Sequence, residues 1–470
     1  MKKRLVSLLL AAVMAVTLVG CGNDTSGENT NGGTNGENTT GGQSGTETRN
    51  SGKQGRVYYL NFKPEVDAAW QEIARTYTEE TGVDVKVVTA ASGTYEEVLK
   101  TEIVQSEPVS LFQINGPMGY QNWTDYCLDL SDTDVYNSLS DKTLAVTGSD
   151  EGVYGIPYTI EGYGIIYNDA IMQKYFGMNG AKAKSIDDII NFDTFKTVVE
   201  DMTAKKDELG IEGVFASTSL LPGEDWRWQT HLVNIPVYYE YQDEGITDTD
   251  SVKLTYSENM KNIFDLYINN SITSKGLLGS KAVTDSMAEF ALGQVAMVQN
   301  GNWAWSQIHD VEGNMVAEKD VKFMPIYTGM EGEENQGLCI GTENFWAVNS
   351  QASKEDQQAS IDFMEWLITS DTGKDYMVNE LGNIAPFTTF EEDEKPTDPL
   401  AKSMLESMES GVSAVPWSFT TFPGQTFKDD FGAALLEYAN GNMTWDEVQE
   451  TFVTRWAEEK AAMAAGGGEQ

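Results

Sequence analysis

The sequence predicts an α/β fold divided between two lobes. Three observations carry that expectation. The chain has 470 residues, more than one hydrophobic core serves, so at least two folded units are expected. Its first globular stretch reads strand, helix, strand, the unit of a parallel sheet with helical crossovers. The same alternation recurs to the C-terminal end with no internal repeat.

The opening residues read as a secretory leader and fall outside the fold. Lys2, Lys3 and Arg4 form a basic start, and Leu5 to Val19 is a mostly apolar run, too short to span a bilayer unaided. Leu18-Val19-Gly20-Cys21 resembles the bacterial lipobox, in which cleavage precedes a cysteine that is then diacylated. A plain signal peptide that happens to end beside a cysteine is the competing reading. Residues 22 to 55 contain no aliphatic or aromatic side chain and cannot offset their ordering entropy, so a flexible leash is expected, with an r.m.s. reach of roughly 30–35 Å.

The body begins with Val57-Tyr58-Tyr59-Leu60-Asn61-Phe62, a short buried strand. Pro64 suits the first turn of a helix. Trp70, Ile73, Ala74 and Tyr77 then recur at helical spacing on one face. Gly82 closes that helix, and Val83, Val85 and Val87 alternate as the next strand. Val109 to Phe112 reads as another strand, with Gln113 and Asn115 at its end and Gly116-Pro117 in a tight loop. Met287, Phe290 and Ala291 mark a helix that stops near Gly293, before the strand Val295-Ala296-Met297-Val298. Ser353 with Asp356, and Thr444 with Glu447, are capping-box starts of two later helices.

Charge and motif searches narrow the function. Asp and Glu number 73 against 31 Lys and Arg, a formal net charge of -42. Such a field repels phosphate backbones, so nucleic-acid binding is disfavoured and no nucleic-acid partner is expected, and it favours a soluble monomer. With two histidines and no CxxC or HExxH, no metal or other cofactor is expected. GxSxG, Walker and dinucleotide-binding patterns are absent. Asp132-Thr133-Asp134 and Asp248-Thr249-Asp250 begin like calcium loops without the required continuation. Cys127 and Cys339 are expected as buried free thiols, although a bridge is permitted outside the cell. A carboxylate pair for glycoside hydrolysis is a spatial arrangement that sequence does not exclude.

Four segments carry a specific resemblance. Glu289-Phe290-Ala291-Leu292-Gly293-Gln294-Val295-Ala296-Met297-Val298-Gln299-Asn300-Gly301-Asn302-Trp303 resembles the helix–strand–loop of extracellular solute-binding proteins of family 1, the maltose-binding-protein type. Tyr154 to Asn168, Gly341 to Val348 and Phe363 to Leu367 agree in order and spacing, so the resemblance covers about residues 57 to 460. It implies a type II periplasmic-binding-protein-like fold, each lobe a sheet flanked by helices with the ligand cleft between. It also implies three crossings, near Ile160-Glu161, Ile340-Gly341 and Ile384-Ala385-Pro386. The expected organisation is leader 1–20, lipidated Cys21 and linker 21–55, one lobe from 56–160 plus 341–385, and the other from 161–340 plus 386–470.

Candidate ligand contacts follow from the resemblance and from what a sugar needs: flat rings for its C–H faces and hydrogen-bonding groups for its hydroxyls. Trp303, after the turn sequence Asn300-Gly301-Asn302, resembles the family's stacking tryptophan; core packing is the alternative, and Trp305 is the expected core partner. Glu161 and Tyr163 lie at the first crossing, where Glu161 resembles a hydroxyl-accepting carboxylate. Asn61, Lys63 and Glu65 occupy a strand-to-helix turn, where open α/β sheets place ligands, and Gln113 and Asn115 stand at a second strand end. Trp226, Arg227 and Trp228 follow Leu221-Pro222-Gly223, one tryptophan expected at the ligand and the other in the core. Trp417 and Phe427 lie where the family adds a further aromatic, with Phe427 in place of a frequent tryptophan. The expected role is a non-enzymatic, lipid-anchored receptor on the extracellular face of the cytoplasmic membrane, delivering a sugar or oligosaccharide to an ABC permease. A secreted glycoside hydrolase or lyase, or a sugar sensor or adhesin, stays open from sequence.

Overall fold

In the computed structural model, residues 54–466 apart from Thr218 are described. The leader, Cys21 and the polar segment after it to residue 53 lie outside the described residues. Following the chain, Val57–Asn61 (β1), Val85–Thr89 (β2), Leu111–Asn115 (β3), Val146–Thr147 (β4) and Val153–Pro157 (β5) build a first sheet. Glu161–Asn168 (β6), Gly213–Phe215 (β7), Val295–Gly301 (β8), Val321–Met324 (β9) and Gln336–Gly341 (β10) build a second. Asn344–Val348 (β11) returns to the first sheet and Ser413–Pro416 (β12) to the second. The strand orders are β2-β1-β3-β11-β5-β4 and β12-β10-β6-β8-β7, with β9 also paired to β6. β1 is parallel to β2 and β3, while β11 runs antiparallel between β3 and β5.

The chain therefore passes between sheets after Pro157 and again between Gly341 and Asn344. The third passage lies further along than the sequence suggests. The Thr388 amide donates to the Ser138 carbonyl (2.7 Å) and Phe387 pairs with Leu139. Phe387 and Phe390 pack in the core of the first sheet, whereas Leu400, Ala401 and Met404 pack in that of the second. The expected boundary after residue 385 thus moves beyond Phe390, because two aromatic rings there bury themselves in the first lobe.

Local chemistry explains the elements that frame the cleft. Asp67–Thr81 is a helix that buries Trp70, Ile73, Ala74 and Tyr77 and ends on Gly82 at φ 77°, a left-handed cap that costs glycine nothing. Ser353 caps the helix Lys354–Thr369, its hydroxyl accepting the Asp356 amide at 3.1 Å. The Glu447 carboxylate accepts the Thr444 amide at 2.7 Å and begins the helix Trp445–Gly466. Two strands outrun the sequence reading. β3 continues to Asn115, which puts Gln113 inside the sheet, and β8 continues to Gly301, so only one tight turn, Asn302–Ala304, carries Trp303. Cys127 and Cys339 are buried free thiols. No helix among the described residues is long and apolar enough to cross a membrane.

Candidate binding cleft

Between the lobes lies a cavity of about 420 Å³ walled by residues of both. From the first lobe come the loop after β1, with Lys63 and Glu65, and the strand ends Asn115 and Asn344. The second lobe supplies Glu161, Trp226, Arg227, His231, Trp303, Trp417 and Lys428. At the rim Gly93 and Gly223 meet: a Cβ on Gly93 would stand 2.9 Å from the Gly223 carbonyl oxygen. Both have left-handed backbones, at φ 74° and 85°, so this close approach of the two lobes at the rim depends on glycine.

The floor is aromatic. The Trp303 ring centre lies 6.0 Å from Trp226, 6.3 Å from Trp417 and 5.5 Å from His231. Its ring also covers Gly301, where a Cβ would come within 2.2 Å of it. Only glycine lets the ring lie there. Trp226 in turn stacks on the Arg227 guanidinium, its ring centre 3.8 Å from Cζ. Arg227–Leu232 forms a wide helical turn of the π type, a local irregularity often found where side chains must be redirected. That turn brings Trp226, Arg227, Gln229, Thr230 and His231 to one cavity wall.

The electrostatics are those of charges removed from water. Lys63 and Glu161 form an ion pair across the cleft, with side-chain exposures of 13% and 6%. Arg227 is 1% exposed, and its Nε and both Nη atoms have no hydrogen-bond partner among the described residues. Burial pulls its pKa down to about 9, with Glu65 and Glu224 pulling it back up. Burial likewise raises the carboxyls of Glu65 and Glu343. His231 is held well below the usual imidazole range by burial and then by the Arg227 charge, so it is neutral at physiological pH. Trp417 Nε1, Asn115 Oδ1, Asn344 Oδ1 and Gln307 Oε1 are also buried without partners, and all four belong to cavity-lining residues. Buried polar atoms are normally paired, so this concentration marks a surface built for a polar guest.

The sequence-predicted residues divide into three groups. Trp303, Trp226, Arg227, Trp417, Glu161, Lys63, Glu65 and Asn115 are brought together at the cavity. Asn61, Gln113 and Asn302 are not on its wall but brace it. The Asn61 amide donates to the Lys63 carbonyl at 2.7 Å. Gln113 accepts the Phe62 amide and donates to the Tyr158 hydroxyl, both at 2.6 Å. Asn302 accepts the Gly162 amide at 2.9 Å, fixing the strand that begins with Glu161. Asn61 and Gln113 spend these polar atoms on the fold, so the expectation that they face a ligand is corrected.

Tyr163, Trp228 and Phe427 belong to the core. Tyr163 is fully buried and stacks on His231 at 4.2 Å. Trp228 donates from Nε1 to the Ser219 carbonyl at 2.9 Å and packs against Phe264 and Tyr267. Phe427 is enclosed by Phe422, Phe452 and Trp456. Trp305, expected in the core, is half-buried and lines a neighbouring cavity. Sequence reasoning missed Glu343, Lys428 and His231. Glu343 immediately precedes β11, the strand-end position that singled out Asn115. His231 is four residues after Arg227 and one of only two histidines. Lys428, on the helix Gln425–Ala439, carries no signal that separates it from a solvated lysine.

Two sheet-based lobes joined by repeated crossings, with convergent rings and polar groups between them, define a ligand-binding clamp. The sequence profile of the bacterial extracellular solute-binding proteins matches residues 72–403, and the chain belongs to that family. The fold agrees with solved structures. A chitin oligosaccharide binding protein superposes with a TM-score of 0.68 at 18% identity, over 87% of this chain and all of that one. RafE in complex with raffinose gives 0.64 at 19% identity, over 86% and 99% of the two chains. The GacH receptor of Streptomyces glaucescens, solved unliganded and with acarbose, gives 0.63 at 16%, over 87% and 99%. No curated protein matches by sequence.

Proposed function

We propose that the cleft captures a sugar or short oligosaccharide without altering it, and that the protein delivers it to the permease of an ABC importer. In this reading the lipid on Cys21 and the polar leash after it hold the receptor at the outer face of the cytoplasmic membrane. One observation carries the carbohydrate reading: Trp226, Trp303 and Trp417 converge on a space where Arg227, Trp417, Asn115 and Asn344 present unpartnered polar atoms. Sugars combine apolar faces with hydroxyls that both donate and accept, which is the complement of that surface. Fold neighbours solved with raffinose and acarbose support the same substrate class. Contacts made to both lobes stabilise the closed form in proportion to the affinity difference between the two states.

The test is a thermal-shift screen followed by titration calorimetry against neutral mono- and oligosaccharides, with peptides and polyamines alongside. A glycan is expected to raise the melting temperature by mass action and to be recovered intact. Binding confined to peptides or polyamines overturns the substrate class; turnover of the glycan overturns the receptor reading. Delivery and anchoring are checked by uptake of the bound glycan and by release of the protein from membranes in a Cys21→Ala strain.

A further inference from the structure

The cleft does not end at the chamber described above. A second cavity of about 430 Å³ lies beside it and is again walled by both lobes. The two share four residues, Lys63, Glu65, Glu161 and Trp303. We propose that the Lys63–Glu161 ion pair is a crossbar that ends the ligand chamber and thereby sets how long a sugar chain the cleft accepts. This rests on the carbohydrate reading of the same cleft.

The geometry of the bar is the argument. Lys63 stands on the loop after β1 in the first lobe, and Glu161 is the first residue of β6 in the second, so the pair runs from one wall to the other. Neither end is free to swing. The Lys63 backbone is held at both ends of its peptide by the Asn61 side chain, which donates to the carbonyl (2.7 Å) and accepts the amide (3.2 Å). Next to Glu161, the Gly162 amide is tied to Asn302. The Lys63 ammonium lies 5.6 Å from the centre of the Trp303 ring, the one ring that faces both chambers. The charged groups satisfy each other, so a chain threading past them would leave two buried charges apart, a costly arrangement.

The space beyond the bar has the same kinds of surface as the space before it. Trp303 and Trp305 offer rings, and Asn302, Ser306 and Asn383 offer amide and hydroxyl groups. It differs in charge. Among the described residues its lining has no lysine or arginine apart from the shared Lys63, while Asp310, Glu318, Glu380 and Asp398 contribute carboxylates. A chain admitted there would extend with neutral rather than acidic units.

The experiment is calorimetry of the lipid-free secreted chain with maltooligosaccharide and chitooligosaccharide series, from the monosaccharide to the hexasaccharide. Wild-type affinity is expected to rise until the first chamber is filled and then to level or fall. In the Lys63→Ala/Glu161→Ala double variant the rise is expected to continue for at least one further unit, with roughly tenfold tighter binding of the longer chain than in wild type. Wild-type affinity that keeps rising through the hexasaccharide overturns the crossbar without recourse to any variant. A double variant that keeps its near-UV circular dichroism and the wild-type length profile also overturns it. Binding with either of those profiles leaves the carbohydrate reading standing. No glycan binding at all sinks both.

Discussion

Replacing Arg227 by methionine separates a residue held for a ligand from one held for the fold. The guanidinium is 1% exposed and none of its nitrogens has a partner among the described residues. Burial lowers its pKa from the ordinary guanidinium range to about 9. At 1.36 kcal/mol for each unit, that displacement corresponds to roughly 5 kcal/mol against the charged form. The folded value is the depressed one, so the penalty is fully present below about pH 9 and is relieved as pH rises from there towards the ordinary guanidinium range. At neutral pH the wild type therefore bears all of it in this structure. Lobe opening and entering water recover part, so Arg227→Met, which keeps the stem's packing, is expected to stabilise the ligand-free protein by about 1–3 kcal/mol. The same change removes charge-assisted hydrogen bonds to the ligand, and affinity should fall about 10- to 100-fold. Thermal and urea unfolding without ligand, paired with calorimetry on the glycan found in the screen, read both effects. A variant that loses stability while binding as tightly as wild type refutes the reasoning, because Arg227 would then be serving the fold.

Three further substitutions test the division between wall and core. Trp303→Ala should weaken binding by about 2–4 kcal/mol, the range of a central aromatic contact, while a half-buried ring costs the fold less; titration and melting measured together check the ratio, and a stability loss with normal binding contradicts it. Phe427→Ala should do the reverse, destabilising by about 3–5 kcal/mol through a core cavity, with folded protein at low temperature retaining wild-type affinity. Asp225 is 4% exposed and burial raises its carboxyl to about 6. Its folded pKa lies above the unfolded one, so its contribution is fully present below about pH 4 and is lost as pH rises towards 6. Asp225→Asn should therefore gain about 3 kcal/mol on wild type across that window, and parallel stability profiles for the two proteins would contradict the burial argument.

Several site residues were legible because their signals are local. Trp303 follows a strand and a polar turn, Lys63 stands just past the C-terminal end of a strand, where open α/β sheets place ligands, and Glu161 stands at the first crossing, where it resembles the family's hydroxyl-accepting carboxylate. The roles assigned to them were less legible. Lys63 and Glu161 were each expected to seek hydroxyls, yet they are 98 positions apart in sequence and meet each other. Gln113 looked like a loop residue because nothing in Leu111-Phe112-Gln113-Ile114 shows that the strand runs on; pairing with β11 extends it. Of Trp226 and Trp228, only the π-type turn decides which faces the cleft and which packs on Phe264 and Tyr267.

The sequence by itself determined the α/β class, the two lobes, the acidic character, the absence of nucleotide and hydrolase motifs, and most of the aromatic residues at the cleft. The fold class, the charge and the missing motifs follow from periodicity, composition and short spacings, which act between neighbours in the chain, and the cleft aromatics follow from the family resemblance of short segments. Only the tertiary structure decided which polar groups pair and which are left waiting, that Phe387 and Phe390 remain with the first lobe, and that an ion pair divides the cleft. Those properties depend on which surfaces are removed from water when distant segments meet, a quantity no local stretch of residues contains.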